Sequence, residues 1–510
     1  PMTTAQGTNP TNDEGAEGEI VPEAFSEYRE HEPETPGVHD ESVTDDAELR
    51  PDYAAVIERI ETLGPDEVSR RLEAAGKGLT ELGVTINSED GNRPYPIDIV
   101  PRIISAERWA ELSAGAEQRV RALELFLRDV YGPGEIIKAG RVDADMLRRS
   151  PGWSEDGQRV PADFVRAGIC GLDLVSPASG EWMVLEDNLR MPGGLGMTHI
   201  NREVLENHFA EILPPAETLE HPTRTYGLLH ESLIASARLV DGGVAEGEIG
   251  LCMVSPGPTD TTWYEQNLVS GQVGAAIVTA DALVVDDGKL WRLDGGERHR
   301  VHLLNPRMGE TELFEAKGAD GRPLGDALRD VLAAGAVAIV NAPGNGLADD
   351  KATYALVPDI IDFYLGEKPL LAQVPTLLCA REDHREEVLD RLDELVVKPI
   401  DGYGGSGITV GPECSADELE TRRREIRETP ERFVAQDIVP LSTLPTLVDG
   451  SFVPSHVDLR AFVLQRPDGQ DASRTVAVTT PGAMTRVAPA GTMIVNVSAG
   501  GGAKDTWIQR

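Results

Sequence analysis

The sequence predicts an α/β fold, and three features carry that prediction. Residues 225–345 alternate short apolar runs, at 250–254, 275–278, 302–304 and 337–340, with helical segments, the pattern of a mostly parallel sheet. Residues 160–215 contain two strand-like runs joined by a Ser-Pro-Ala-Ser-Gly turn at 176–180. Residues 346–510 contain a strand, a glycine-dense loop, a second strand and then a strand-rich end.

Composition narrows the class. A chain of 510 residues, 40% hydrophobic and 26% charged, is an ordinary globular protein with room for two or three domains. Its net charge of -40 argues against a nucleic-acid partner, and an acidic substrate would need a local basic pocket. Cys170, Cys252, Cys379 and Cys414 are too scattered for a disulfide framework or a zinc cluster. His299 and His302 (H-R-V-H) read as a solvated strand rather than a metal site. No run of eighteen apolar residues and no basic-then-apolar leader is present, so no membrane partner is expected and a cytoplasmic location is.

Residues 1–50 carry fourteen acidic side chains against Arg29 and Arg50, and a disordered, solvating acidic tail is expected. Helical periodicity follows at 53–63, 66–82 and 106–131; the last gathers Val120, Leu123, Leu125, Phe126 and Val130 mostly on one face. Between them, 92–104 is too proline-rich for a helix and reads as an extended packing segment.

The run V-L-E-D-N-L-R-M-P-G-G (184–194) is the first chemical motif. Alternation along a strand puts Val184, Glu186 and Asn188 on one face and Met183, Leu185 and Asp187 on the other. The preceding run G-I-C-G-L-D-L-V (168–175) returns through the turn; closure at Ser179-Gly180 sets Asp173 opposite Glu186. Asp173, Glu186 and Asn188 then converge as three hard oxygen ligands, a set suited to Mg²⁺. The competing reading is an exposed hairpin with its acids in solvent. Arg190 belongs either beside phosphates or a substrate carboxylate, or in a surface salt bridge.

The second motif is V-V-K-P-I-D-G-Y-G-G-S-G-I (396–408), in which Lys398 projects from an apolar strand. Its glycines match G-x-G-x-x-G, but a dinucleotide fingerprint needs a helix next, and I-T-V-G-P is a strand. The segment is therefore a strand–loop–strand flap whose N–H groups can close over phosphates, with Ser406 as a further donor. Walker A is excluded because no G-K-[ST] occurs; a kinase flap would need its lysine downstream and an H-R-D loop. S-A-D-E (415–418) is a capping box opening a helix to about residue 428, and 432–441 reads as a strand. In H-V-D-L-R-A-F-V-L (456–464), Asp458 and Arg460 lie two apart on one face, placed to brace each other and a phosphate.

In combination these segments resemble the circularly permuted ATP-grasp family, related to glutathionylspermidine-synthase-like ATP-grasp proteins. The metal strand that normally closes an ATP-grasp ligase here precedes the lysine strand by about two hundred residues. The helix and hairpin expected after the last strands of an unpermuted enzyme are found at roughly residues 106–195. The resemblance implies Mg²⁺ on Asp173, Glu186 and Asn188. It implies ATP phosphates on Lys351, Lys398 and the flap residues Tyr403, Gly404, Gly405 and Ser406. The adenine edge would meet the strand at Asp437 and Val439, with Gln436 nearby. Arg486, in M-T-R-V-A-P, would stabilise the γ-phosphate and an acyl phosphate, with Arg460 and Lys398 completing the catalytic set. Asn496, before the glycine run 500–502, would help bind metal or phosphate. Two departures touch substrate contacts: Ser455 stands where a basic residue is expected, and N-V-S-A (496–499) lacks the usual second Ser and Gln.

The resemblance thus implies an α/β fold with a circularly permuted ATP-grasp core and a βαβ-type substrate subdomain. It also implies ATP-dependent carboxylate–amine ligation through an acyl phosphate, with ATP and Mg²⁺ as cofactors. Substrates would be small-molecule or peptide carboxylates and amines. Similar proteins are often encoded beside transglutaminase-like and helical partner proteins, which implies peptide modification. The alternatives are a phosphotransferase that stops at the phosphorylated product, and a non-catalytic nucleotide-binding scaffold. The expected division is an acidic tail (1–50), a helical segment plus the permuted metal-binding part of the core (51–215), an α/β substrate subdomain (216–345), and the lid with the remaining core strands (346–510).

Overall fold

The computed structural model describes Tyr28 and residues 38–44, 48–88, 91–177, 179–400, 407–489 and 501–510. A mixed eight-stranded sheet lies at the centre of the fold. Its order is Ala372–Gln373, Met183–Asn188, Ile169–Val175, Ser451–Asp468, Asp471–Val487, Gly502–Ile508, Ile97–Ile104, and Thr443–Val448 pairs with the start of Ser451–Asp468. Neighbours are antiparallel except at the two ends, where Ala372–Gln373 and Ile97–Ile104 run parallel to their partners. One sheet therefore draws strands from residues 97–188 and from residues 443–508, which is what a permuted chain order requires.

Alternation along the long strand sorts the two faces. Leu459, Ala461 and Val463 join Leu172 and Leu174 in a core with helices Ala106–Val130 and Lys351–Leu365. Phe462 and Leu464 face the other way, into a core shared with helices Leu195–His208 and Arg224–Ala237. Helix Ala106–Val130 is capped by Ser105, whose side chain accepts from the Arg108 N–H. It is tied to the sheet by Arg119, which makes a buried two-pronged pair with Asp187 at 2.7 Å on each prong.

In the α/β subdomain the parallel sheet runs Ala338–Ile339, Leu303–Pro306, Leu251–Val254, Ala276–Val278. An antiparallel three-stranded unit, Leu283–Asp286, Lys289–Asp294 and Glu297–Arg300, was not foreseen. Its strands are rich in charge and partly exposed, so no clean apolar alternation marks them. His299 lies on this unit beside Glu297, while His302 is buried and accepts the Gly250 N–H at 3.0 Å.

The segment expected to be the lid holds a four-stranded antiparallel sheet, Thr376–Leu378, Phe433–Asp437, Leu395–Pro399, Thr409–Val410, with its own core of Val388, Leu392, Leu395, Val397 and Ile426. Helix Ala416–Glu428 begins with the reciprocal Ser415–Glu418 capping box. The strand expected over 432–441 stops at Asp437. Its neighbour begins at Leu395, directly opposite Asp437, so later residues have no ladder to join.

The expected acidic tail needs a correction at its end. Asp40 bridges Thr443, and the Glu41 carboxylate is buried against Arg102 at 2.9 and 2.5 Å and the Ser442 hydroxyl at 2.6 Å. Composition averaged over fifty residues cannot register one acid whose partner comes from a distant strand.

Candidate active site

The hairpin sets Asp173 opposite Glu186 and Gly171 opposite Asn188. The register slips one residue between Glu186 and Val184, so Leu185 is an extra residue in its strand. Val184 is thereby turned into the helix-side core with Asp187's face, while Glu186 and Asn188 line the cleft. The expected single face for Val184, Glu186 and Asn188 is corrected by that bulge.

Across the sheet, acids and bases alternate. Arg460 stands opposite Asp173 and Arg486 opposite Asp458. Arg460 holds Asp173 through 2.6 and 2.9 Å contacts, and Arg486 reaches the same carboxylate at 2.8 Å. Arg486 also grips Asp458 at 2.9 and 2.6 Å. Asp458 and Arg460 therefore do not brace each other as expected: partners directly across a ladder are closer than residues two apart on one strand. Burial pushes the Asp173 carboxyl up, but the two guanidiniums outweigh it and hold it at about 2.

The lysines approach from the other side. Lys351, at the first position of its helix, reaches Glu186 at 3.1 Å. Lys398 donates to Gln436 Oε1 at 2.7 Å, and Gln436 in turn donates to Thr376 at 2.8 Å. Burial pulls the Lys398 ammonium down to about 8; Glu186 opposes that shift and Lys351 reinforces it. Glu186, Asn188, Arg190, Asp349, Lys351 and Ile400 line one solvent-connected cleft. Ile400 comes from the lid and the others from the core, so the cleft lies between them.

The Asn188 amide nitrogen is buried and has no partner among the described residues. Such a group calls for a ligand: as it stands it donates to an anion, and turned over it offers an oxygen to a hard cation. Among the described residues no three His, Cys, Asp or Glu gather as a metal cluster, so any ion here would lean on the amide as well.

Of the other residues singled out, Asp437 is exposed and pairs with Arg391 at 2.5 Å, and Val439 follows on the segment after the strand. Tyr403, Gly404, Gly405, Ser406 and Asn496 lie outside the described residues. Ser455 is buried with no hydroxyl partner among the described residues. Sequence reasoning missed Asp349. It accepts from the Leu189 N–H and pairs with Arg190 at 2.7 Å, and burial raises its carboxyl to about 6 although Arg190 opposes the shift. The only local signal was its place in L-A-D-D-K, two residues before Lys351.

Residues 101–488 match the family described as circularly permuted ATP-grasp type 2. A Frankia alni protein named "Putative glutamate--cysteine ligase 2-3" is 41% identical over 497 residues, covering 97% of this chain and 56% of its own length. The chain thus spans little more than half of that relative. An uncharacterized protein of Synechocystis sp. is 37% identical over 473 residues, covering 90% of this chain and 94% of its own. Among solved structures, a glutathione synthetase-like effector from Globodera pallida superimposes with a TM-score of 0.56 at 10% identity, over 87% of this chain and 97% of that one, a likeness of fold alone.

Proposed function

The chain belongs to the circularly permuted ATP-grasp type 2 family, and from that premise we propose that it is an ATP-dependent ligase joining a carboxylate to an amine through an acyl phosphate. The observation that carries this reading is the meeting of Glu186, Asn188 and Lys351 in one cleft, with the half-buried Lys398 feeling the charge of both Glu186 and Lys351. Arg460 and Arg486 stand on the adjoining strands.

Magnesium would be held by Glu186, Asn188 and Asp173. All three carry oxygen and the first two line one cleft; the Asn188 amide, turned over, would present its oxygen to the ion. When bound, Mg²⁺ neutralises charge on the transferring phosphoryl group. Lys351 and Lys398 take phosphate oxygens. Arg460 and Arg486, preorganised by Asp173 and Asp458, stabilise the charge that gathers on the acyl phosphate. A carboxylate oxygen attacks the γ-phosphorus and ADP leaves; the amine nitrogen then attacks the acyl carbon and phosphate leaves. No protein nucleophile is required, and burial pushes the Cys252 and Cys379 thiols up to about 12. The name of the Frankia relative makes glutamate and cysteine the first pair to try; peptide substrates, with transglutaminase-like or helical partner proteins, are the second. No helix among the described residues is long and apolar enough to cross a membrane.

The deciding experiment is ³¹P NMR with mass spectrometry on a mixture of protein, Mg-ATP and both substrates. The expected result is free phosphate rising in step with ADP, and a new amide. A stable phosphorylated product accumulating one-for-one with ADP would convert the reading to a phosphotransferase. No ADP under any pairing would leave a nucleotide-binding scaffold.

The pH profile of kcat/KM for Mg-ATP is expected to be bell-shaped. Asp349 must be ionised to hold Arg190, so activity falls as pH drops through about 6. Lys398 must be charged to take phosphate, so activity falls again as pH rises through about 8. Asp349→Asn should abolish the acid limb alone. A profile flat across both values would count against these two roles.

A further inference from the structure

The segment after the metal strand is gripped along its backbone by the α/β subdomain. Asn345 donates to Leu189 O at 3.0 Å, Asn341 to Arg190 O at 2.9 Å and Arg307 to Pro192 O at 3.3 Å. Glu265, on helix Trp263–Val273, accepts the Gly194 and Gly196 N–H groups at 2.8 and 3.0 Å through one oxygen. Those N–H groups belong to the start of helix Leu195–His208, where no intrahelical acceptor exists. Arg307 directly follows strand Leu303–Pro306, and Asn341 and Asn345 follow Ala338–Ile339. The carboxyl ends of parallel strands are where open sheets ordinarily bind ligands. Here the chain's own loop is seated there.

The fit is close. A Cβ on Gly196 would lie 2.8 Å from Glu265 Cγ; one on Gly194, whose φ is +100°, would lie 2.4 Å from Met484 Sδ. The loop also touches the reactive face, because Gly193 O accepts from Arg460 at 3.3 Å while Arg460 holds Asp173.

We propose, resting on the ligase reading, that Glu265 and Arg307 are positioning residues. The edge of the parallel sheet acts as a jig for residues 189–196, and through Gly193 it sets the Arg460–Asp173 pair against Glu186. Removing the jig should slow the chemical step and spare nucleotide binding, because Lys398 and Gln436 are held by each other and by strand pairing within the lid.

The test uses the full chain as wild type, Glu265→Ala, Glu265→Gln and Arg307→Gln. Two quantities are read: amide exchange over residues 190–198, and kcat and KM for Mg-ATP with glutamate and cysteine. Glu265→Ala strands two N–H groups and should speed exchange by about 10-fold or more. Its kcat should fall by about 10- to 100-fold, with KM for Mg-ATP within about 3-fold, because misplacement acts on the reacting geometry. Glu265→Gln keeps an accepting oxygen and should restore both. Arg307→Gln should shift both in the same direction by less, and it carries the test should Glu265→Ala fail to fold. Unchanged exchange, or faster exchange with unaltered kcat, would overturn the proposal. Wild-type protein that releases no ADP with any donor pair would instead remove the ligase reading, and the exchange data alone would then decide whether the sheet edge grips the loop.

Discussion

Glu186→Gln is expected to leave the protein folded and to lower ATP turnover by about 10²- to 10³-fold, the range seen when one charge-stabilising group is removed from a reaction centre. Glu186 is about one-third exposed and pairs with Lys351 at 3.1 Å, so the exchange should cost less than about 1 kcal/mol of stability. The catalytic loss has two sources. One is the missing charge of a hard-cation ligand. The other is Lys398, whose ammonium is supported by Glu186 against burial and against Lys351. The alkaline limb of the pH profile should therefore move to lower pH in this variant. ADP release, read beside a thermal melt, checks both parts. A folded variant with undiminished turnover would sink the assignment of Glu186.

Arg486→Met is expected to combine a catalytic loss with the largest stability loss of any single change in the site. Arg486 is the hydrogen-bonding partner of Asp458 and the second partner of Asp173, and both carboxylates are about 2% exposed. Removing one member of a buried, hydrogen-bonded pair costs about 3–5 kcal/mol, because the other charge is left unpaired. The pH dependence has a definite sign. Burial already raises the Asp458 carboxyl above its ordinary value, and losing Arg486 raises it further. A carboxyl raised in the folded state favours folding as pH falls. The deficit should therefore shrink as pH falls and that carboxyl takes up its proton. Arg486→Met combined with Asp458→Asn removes the stranded charge and should recover most of the stability but none of the turnover. Urea unfolding as a function of pH, together with ADP release, separates the effects. A single variant as stable as wild type, or a double variant with restored activity, would refute this account.

Much of the core could be read locally. The Ser415–Glu418 capping box, the four parallel strands between 251 and 339, and the hairpin that sets Asp173 against Glu186 are short-range features. Each depends on periodicity, turn chemistry or spacing within some fifteen residues, which a sequence displays directly. The order of the two motifs, metal strand before lysine strand, is likewise a property of the chain alone, and it required a sheet closed by strands from both ends.

Other features needed the tertiary structure, for one recurring reason: the choice among several chemically equivalent partners is made by strand register and packing, not by sequence distance. Asp458 could pair with Arg460 or Arg486, and the ladder chose the one directly across. One bulged residue, Leu185, decided which of Val184 and Glu186 faced the cleft. Asp349 carries no local mark beyond its place near Lys351; burial and Arg190 give it a distinct character. Glu41 was one acid among fourteen until Arg102 and Ser442 enclosed it. The jig around residues 189–196 joins four side chains, scattered over some eighty residues of sequence, to backbone atoms, which carry no side-chain signature at all. The sequence by itself determined which chemical groups are available and in what order. Their pairing was decided by the folded sheet, because a buried charge or N–H group must find whichever partner packing brings within reach.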